Sequence, residues 1–481
     1  MNLKKTASLL LALCLLLSLA ACGGTEGGEP ENGGGLTAAP PVTLPGGTAA
    51  EVPGSAGKTV LNVMSFTDEV PNMIARYLEL HPDLAEKYEM RTTIIATTDG
   101  LYQPALDQAL ATGGADAPDI YCAEAAFVLK YAQGDAAGFA AAYEDLGIDV
   151  ATEMAEADIA PYSVEIGTRP DDGRIVGLGY QATGGAFIYR RSVALATWGD
   201  DDPDFVADKI GAGTQSWDKF FAAAEELREA GFGIVSGDGD IWHAVENSSD
   251  SGWIVDGRLN IDPKREAFLD LSMELMENGY HNDTQDWGEA WFADMQGVGD
   301  KEVLGFYGPA WLINYVMVGN SGYDPDSGEM GTYGDWAVCP PNVGFFWGGT
   351  WVLANKDTTK KDAVAEIIRW IALDATEDGL QYGWANGTWS GEQTSKDTVA
   401  SGVVMAMSNG ELDFLGGQDM FDVFVPANQY ANGRNLTQYD ETINTFWRDA
   451  VRGYTGGTLS RDEALAAFRQ NVGDNLDVLV D

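Results

Sequence analysis

The side chains best equipped to do chemistry in this sequence are aromatic rings and acids. Phe66, Tyr180, Trp242, Tyr307, Trp311, Trp347, Trp384 and Trp389 all fall at expected loop mouths. Thr67, Asp68 and Gln181 stand next to them in the chain, Glu124 follows an expected strand, and Gly348-Gly349 follows Trp347 directly. Flat C–H patches, such as the faces of a pyranose, stack on aromatic rings, while hydroxyls call for Asp, Glu, Asn, Gln or Arg. The set suits a polyhydroxylated small ligand, and the paired glycines would let backbone approach it or flex. Asp68 has an equal alternative use as the cap of the helix that follows it. Trp198, Trp253, Trp370 and Trp447 read as structural.

Other chemistry is sparse. His81, His243 and His281 are far apart and show no metal-ligand spacing. There is no G-x-S-x-G elbow and no phosphate-binding glycine loop. The runs Asp238-Gly239-Asp240 and Asp324–Glu329 fail the EF-hand pattern and read as solvated loops. No cofactor and no metal are expected. A glycoside-cleaving enzyme needs two opposed carboxylates. With 74 Asp and Glu some pair is always at hand, so that reading stays open without support from the count. The formal charge of −46 argues against a nucleic-acid partner and against adhesion to an anionic leaflet through charge alone. It suits a neutral or cationic small partner, leaving a polyamine or peptide ligand as an alternative.

These side chains need a large scaffold, and 481 residues with 45% hydrophobic content supply one. Single cores stop growing near ~250–300 residues, so two or three domains are expected. Residues 1–21 read as a leader: Lys4 and Lys5 precede the apolar run 7–21, which is short for a membrane span. The run closes on Leu19-Ala20-Ala21-Cys22, which resembles the bacterial lipoprotein cleavage box. That resemblance implies that Cys22 becomes the first residue, acylated and held in a membrane. Residues 22–57 are rich in Gly and Pro, carry no ring and no Lys or Arg, and read as a disordered tether. Cys122 and Cys339 lie in apolar, strand-like contexts and read as two buried thiols rather than a bridge.

The globular part alternates strand and helix. Leu61–Phe66 reads as a strand, followed by a helix bearing Met73, Ile74, Tyr77 and Leu78. Arg91–Ala96 is a second strand, a helix runs through Leu106 and Leu110, and Ala117–Cys122 is a third strand. A β-α-β-α-β order implies a mostly parallel sheet whose ligand sits beyond the carboxyl ends of the strands. That rule selects Phe66-Thr67-Asp68 and Glu124. Further on, a helix from Ser216, a strand at Trp336–Cys339 and a helix with Val364, Ile367, Ile368 and Ile371 follow the same logic.

Taken in order, these pieces resemble the bacterial extracellular solute-binding proteins of ABC sugar importers, of the maltose-binding type (family 1), over nearly all of residues 58–475. Gly173–Tyr180 is similar to that family's "G-K-I-yGlPy" crossover, and Phe187-Ile188-Tyr189 to its "l-x-Y-N" strand, with Arg190 where Asn is usual. Ser216–Phe220 resembles "T-W-d-e-f", and Gly305–Trp311 the "a-M-x-x-x-G-p-w" strand and loop without its Met. Trp347-Gly348-Gly349 is similar to the second crossover, and Tyr454–Ala464 to the closing helix. The resemblance implies an α/β chain with the two-lobed periplasmic-binding-protein type II fold and crossover hinge strands. One lobe would span 58–181 plus 352–395, the other 182–351 plus 396–481, with hinges near Tyr180–Gln181 and Gly348–Thr350. It also places Trp242, Trp311 and Trp347 at the cleft. By the same resemblance, this would be a monomeric, non-catalytic protein, anchored through Cys22 on the outer face of the cell membrane. It would capture a carbohydrate, and its partner would be a membrane permease of an ABC transporter.

Overall fold

The computed structural model describes residues 57–97, 100–391 and 395–480. The expected signal peptide, Cys22 and all of the expected tether but Gly57 lie outside the described residues. Eight strands carry the architecture: β1 (Thr59–Ser65), β2 (Tyr88–Ile94), β3 (Ile120–Glu124), β4 (Gly177–Gly179), β5 (Gly185–Arg190), β6 (Gly305–Pro309), β7 (Trp336–Cys339) and β8 (Thr350–Ala354). They form a five-stranded sheet in the order β2-β1-β3-β8-β4 and a three-stranded sheet in the order β6-β5-β7. The chain is two-lobed, with one lobe built on each sheet.

In the first sheet β2, β1 and β3 are parallel, with Leu61 opposite Met90 and Val63 opposite Ile120. The helices between them make this possible. α1 (Glu69–Leu80) buries Val70, Met73, Ile74 and Tyr77, a spacing that keeps one stripe facing the sheet. α2 (Tyr102–Thr112) buries Tyr102, Leu106 and Leu110 in the same way. Helices cover both faces, so β1 and β3 are buried on both sides and read as continuous apolar runs. β8 then returns antiparallel to both β3 and β4, pairing Thr350 with Glu124 and Val352 with Leu178.

The second sheet is antiparallel, and its side chains alternate between two cores. Phe187, Tyr189, Tyr307, Ala337 and Cys339 enter one, and Ala186, Ile188, Phe306, Trp336 and Val338 enter the other. α3 (Asp218–Ala230) and α4 (Gly239–Asn247) pack into the first of these cores. α5 (Lys361–Ala372) packs against the five-stranded sheet through Val364, Ile367, Ile368 and Ile371. Near the end of the chain, α6 (Leu380–Asn386), α7 (Asp440–Thr455) and α8 (Arg461–Asn475) follow. Ser460 and Glu463 close a reciprocal capping box at the start of α8.

The chain passes from the first sheet to the second between Gly179 and Gly185, and back between Cys339 and Thr350. A third segment runs alongside, where Val399 bridges Gln181. Cys122 and Cys339 are free, buried and in different sheets. Trp253, Trp370 and Trp447 are buried, and half-buried Trp198 lies edge-on to Phe205, so these four rings pack the fold. Among the described residues no helix is long and apolar enough to cross a membrane.

Candidate functional site

The carboxyl ends of β1 and β3 and the crossing segments bring most of the selected residues to one seam. After β1, Phe66 is half-buried and sits edge-on to Tyr102 at 5.7 Å and to Phe127 at 6.0 Å. Thr67 accepts the Glu69 N–H at 3.4 Å. Asp68 is exposed and its side chain caps nothing, so the capping alternative is not used. The carboxylate beside it, Glu69, accepts the hydroxyl proton of Tyr180. Gln181 and Trp384 each donate to Asp397 at 3.3 Å, and Trp384 lies edge-on to Tyr180 and against Trp389. Burial pushes the Glu69 carboxyl up to about 7, opposed by the Tyr180 hydroxyl and assisted by the Asp397 and Asp68 charges. Burial likewise pushes Asp397 up to about 7.

At the end of β3, Glu124 accepts the Ala126 N–H at 2.8 Å. Burial pushes it up to about 7, and the charges of Glu441 and Glu246 on the other lobe add to that. Gly348 stands between Glu124 and the aromatic side of the seam. A Cβ there would lie 3.4 Å from Glu124 Oε1 and 3.3 Å from Trp311 Nε1, and the backbone turns through φ of +73° at Gly348 and +108° at Gly349. Only glycine turns this way without strain, and only glycine leaves that gap open.

The aromatic side is a cluster of rings. Trp311, just after β6, and Trp347, just before β8, meet at 4.8 Å and 66°. His243 stacks on Trp347 at 4.6 Å and 22°, and is held by Glu246, which faces its Nδ1 at 3.1 Å. Burial works to raise Glu246, but His243, Arg265 and Asn444 together hold it below the usual carboxylate range. Trp287 lies parallel to Trp311, at 6.2 Å and 7°, and 48% of it is exposed. Arg448 bridges Asp286 and Asp238 behind this ring, both at 3.4 Å. A wide π turn, Leu312–Met317, carries the exposed Tyr315 to where burial and the Glu69 and Asp68 charges raise its hydroxyl.

Two selected rings do not reach the seam. Trp242 is 2% exposed and packs on Phe268 at 4.9 Å and on Trp253. It points to the buried side of α4, and its neighbour His243 takes the outward place. Tyr307 is 1% exposed; its ring packs on Phe187 and its hydroxyl donates to Asn342 at 2.5 Å. The alternation of β6 turns it into the core with Phe187. Tyr180 is also fully buried and touches the seam through Glu69 and Trp384. Conversely, sequence reasoning passed over Glu69, His243, Glu246, Trp287 and Asp397. For Trp287 a signal existed: a lone ring in a polar loop that closes on glycine, Gln285-Asp286-Trp287-Gly288.

Two α/β lobes are joined by short crossing segments, and rings and carboxylates gather along the seam between them. The chain belongs to the bacterial extracellular solute-binding protein family, whose sequence model matches residues 73–385. No curated protein matches it. Among solved structures, an extracellular solute-binding protein of family 1 is 17% identical, covers 86% of this chain and 99% of its own, and has a TM-score of 0.65. The galacto-N-biose/lacto-N-biose I-binding protein of a Bifidobacterium longum ABC transporter, in complex with lacto-N-biose, is 16% identical over 88% of this chain and 99% of its own, with a TM-score of 0.63. An acarbose-binding receptor of Streptomyces glaucescens is 16% identical over 87% and 99%, with a TM-score of 0.59. At these identities the likeness is one of fold.

Proposed function

We propose that this protein is the capture component of an ABC importer and binds a mono- or oligosaccharide between its lobes. The observation that carries the reading is the cluster of Trp287, Trp311, Trp347 and His243 beside Glu124, separated from it only by Gly348. Rings offer faces for the C–H patches of a sugar, and Glu124, Glu69 and Asp397 offer acceptors for its hydroxyls. The saccharides named with the similar structures from Bifidobacterium longum and Streptomyces glaucescens support the same class of ligand. Lobes of 58–181 plus 352–395 and of 182–351 plus 396–481 would close on the ligand about Tyr180–Gln181 and Gly348–Thr350. Ligand then shifts the population toward the closed form, and that form is what a permease would read. An acylated Cys22 would hold the protein on the outer face of the membrane, as a monomer and without catalysing a reaction.

A second reading rests on charge. Among the described residues Glu69, Glu124 and Asp397 have no basic side chain within ion-pair distance, which suits a ligand bearing an ammonium group, such as an amino sugar or a polyamine. Thermal unfolding against saccharides, amino sugars, polyamines and peptides separates the two. Ligand at ~100 Kd stabilises by about 2.7 kcal/mol. A shift with neutral saccharides supports the first reading, and one with polyamines alone supports the second. Cleavage of the added sugar would instead assign a glycoside-acting enzyme.

A further inference from the structure

We infer that Trp287 is the ring on which the captured sugar stacks, and that its loop is held in a strained conformation to present it. The inference rests on the carbohydrate reading above and adds a residue and a mechanism to it. Trp287 has φ of +66°. Among the described residues the other non-glycine positions with positive φ are Asp158, Gln215, Asp256 and Asp283, so it is the one aromatic of that kind. Short polar side chains tolerate this region, whereas a bulky one is crowded by its own backbone. Such strain persists only where the surroundings over-determine it, and it gathers at functional sites.

The surroundings of Trp287 do over-determine it. Before the ring, the Asp283 N–H donates to His281 Nδ1 at 2.8 Å, and the hydroxyls of Thr284 and Ser236 pair at 2.5 Å. Arg448 holds Asp286, whose carboxylate fills the space that a Cβ at Gly239 would need. After the ring, Gly288 N–H donates to Gln285 O at 3.0 Å, and the indole N–H of Trp291 donates to Asp240 at 2.9 Å. A loop pinned on both sides leaves the residue between them no relaxed alternative.

Packing alone does not account for the strain. Trp291, behind the loop, is 1% exposed, and Trp311 and Trp347 are half-buried, while nearly half of Trp287 faces solvent. Its plane is parallel to Trp311 within 7° and edge-on to Trp347, so the neighbours fix the orientation of the ring without covering it. A large apolar face held open and rigid at a seam between lobes is what a sugar face requires, and rigidity lowers the ordering cost of binding.

Three forms of the full protein test this: wild type, Trp287→Gly and Trp287→Phe. Each is assayed for its unfolding temperature without ligand and for affinity toward a saccharide panel containing lacto-N-biose, β-1,6-galactobiose and acarbose. Glycine removes both ring and strain, and relief of the strain offsets the lost ring contacts and the entropy that glycine adds to the unfolded chain. Its ligand-free unfolding temperature should therefore stay close to that of wild type, while saccharide affinity falls roughly tenfold or more. Phenylalanine keeps a ring and should retain affinity within a few-fold. Unchanged affinity in Trp287→Gly overturns the inference and leaves the carbohydrate reading standing. A large fall in unfolding temperature in Trp287→Gly, of the size a core ring costs, also overturns it, because the ring would then be a prop of the fold. If wild type binds no saccharide of the panel, both fall together.

Discussion

The indole N–H of Trp311 donates to the carbonyl oxygen of Trp347 at 2.9 Å. The bond joins the turn after β6 to the segment that crosses back toward the first sheet, 36 residues later. It anchors the Trp311 ring to the main chain of Trp347, immediately before the Gly348-Gly349 turn. The contact ties Trp311 to the crossing segment, so a ligand in the proposed site would act directly on the segment that passes between the sheets.

From this contact follows a contrast between two tryptophans. Trp311→Ala removes a half-buried ring and one hydrogen bond at the seam, so saccharide affinity should fall roughly tenfold or more while the fold survives. Trp242→Ala removes a core ring and should cost about 3–5 kcal/mol of stability. What remains folded should bind as wild type does. Chemical denaturation paired with calorimetric titration of each variant measures both quantities.

Gly348→Ala tests the gap between Glu124 and Trp311. An alanine at φ of +73° costs about 1–2 kcal/mol, and its methyl group would sit 3.3–3.4 Å from both side chains. The expected outcome is a modest loss of stability with a larger loss of affinity. Equal losses in a second positive-φ glycine far from the seam, such as Gly199, would show that the gap has no special role.

The seam acids give a pH dependence with a definite sign. Glu69, Glu124 and Asp397 titrate near 7 in the folded chain, well above their unfolded values near 4, and burial is the leading cause for each. A carboxyl raised by folding contributes full stability below about pH 4 and loses it as pH rises toward 7. Asp240, which burial pushes up to about 8, and Asp440, pushed to about 7, act in the same direction. The ligand-free protein should therefore melt at a higher temperature at pH 5 than at pH 8. Glu69→Gln with Asp397→Asn should flatten that difference, and an unchanged slope in the double variant would contradict the assignment.

How far the sequence reaches is shown by these same residues. β1 and β3 were legible as short apolar runs and α1 by the spacing of its one buried face, and the parallel sheet followed from their order. The motif resemblances at Gly173–Tyr180 and Trp347-Gly348-Gly349 overlap the passages between the sheets at Gly179–Gly185 and Cys339–Thr350. Trp311 and Trp347 do meet at the seam. Trp242 and Tyr307 were misplaced because a position near a loop mouth does not say which face of a helix or strand a side chain takes. Trp287 was missed for the complementary reason: its outward direction depends on a positive φ imposed by Arg448, Ser236 and Asp240, which are distant in sequence. Glu69 and Asp397 acquire their character from burial in the folded chain, which their local sequence does not reveal.

The most direct test of the account is calorimetric titration of the saccharide panel into wild type and into the Trp311→Ala/Trp347→Ala double variant, with the sugar recovered and analysed. The account predicts that wild type binds a saccharide at one site and returns it unchanged, and that the double variant loses that affinity while remaining folded. Intact affinity in the double variant, or no saccharide bound by wild type, would contradict it.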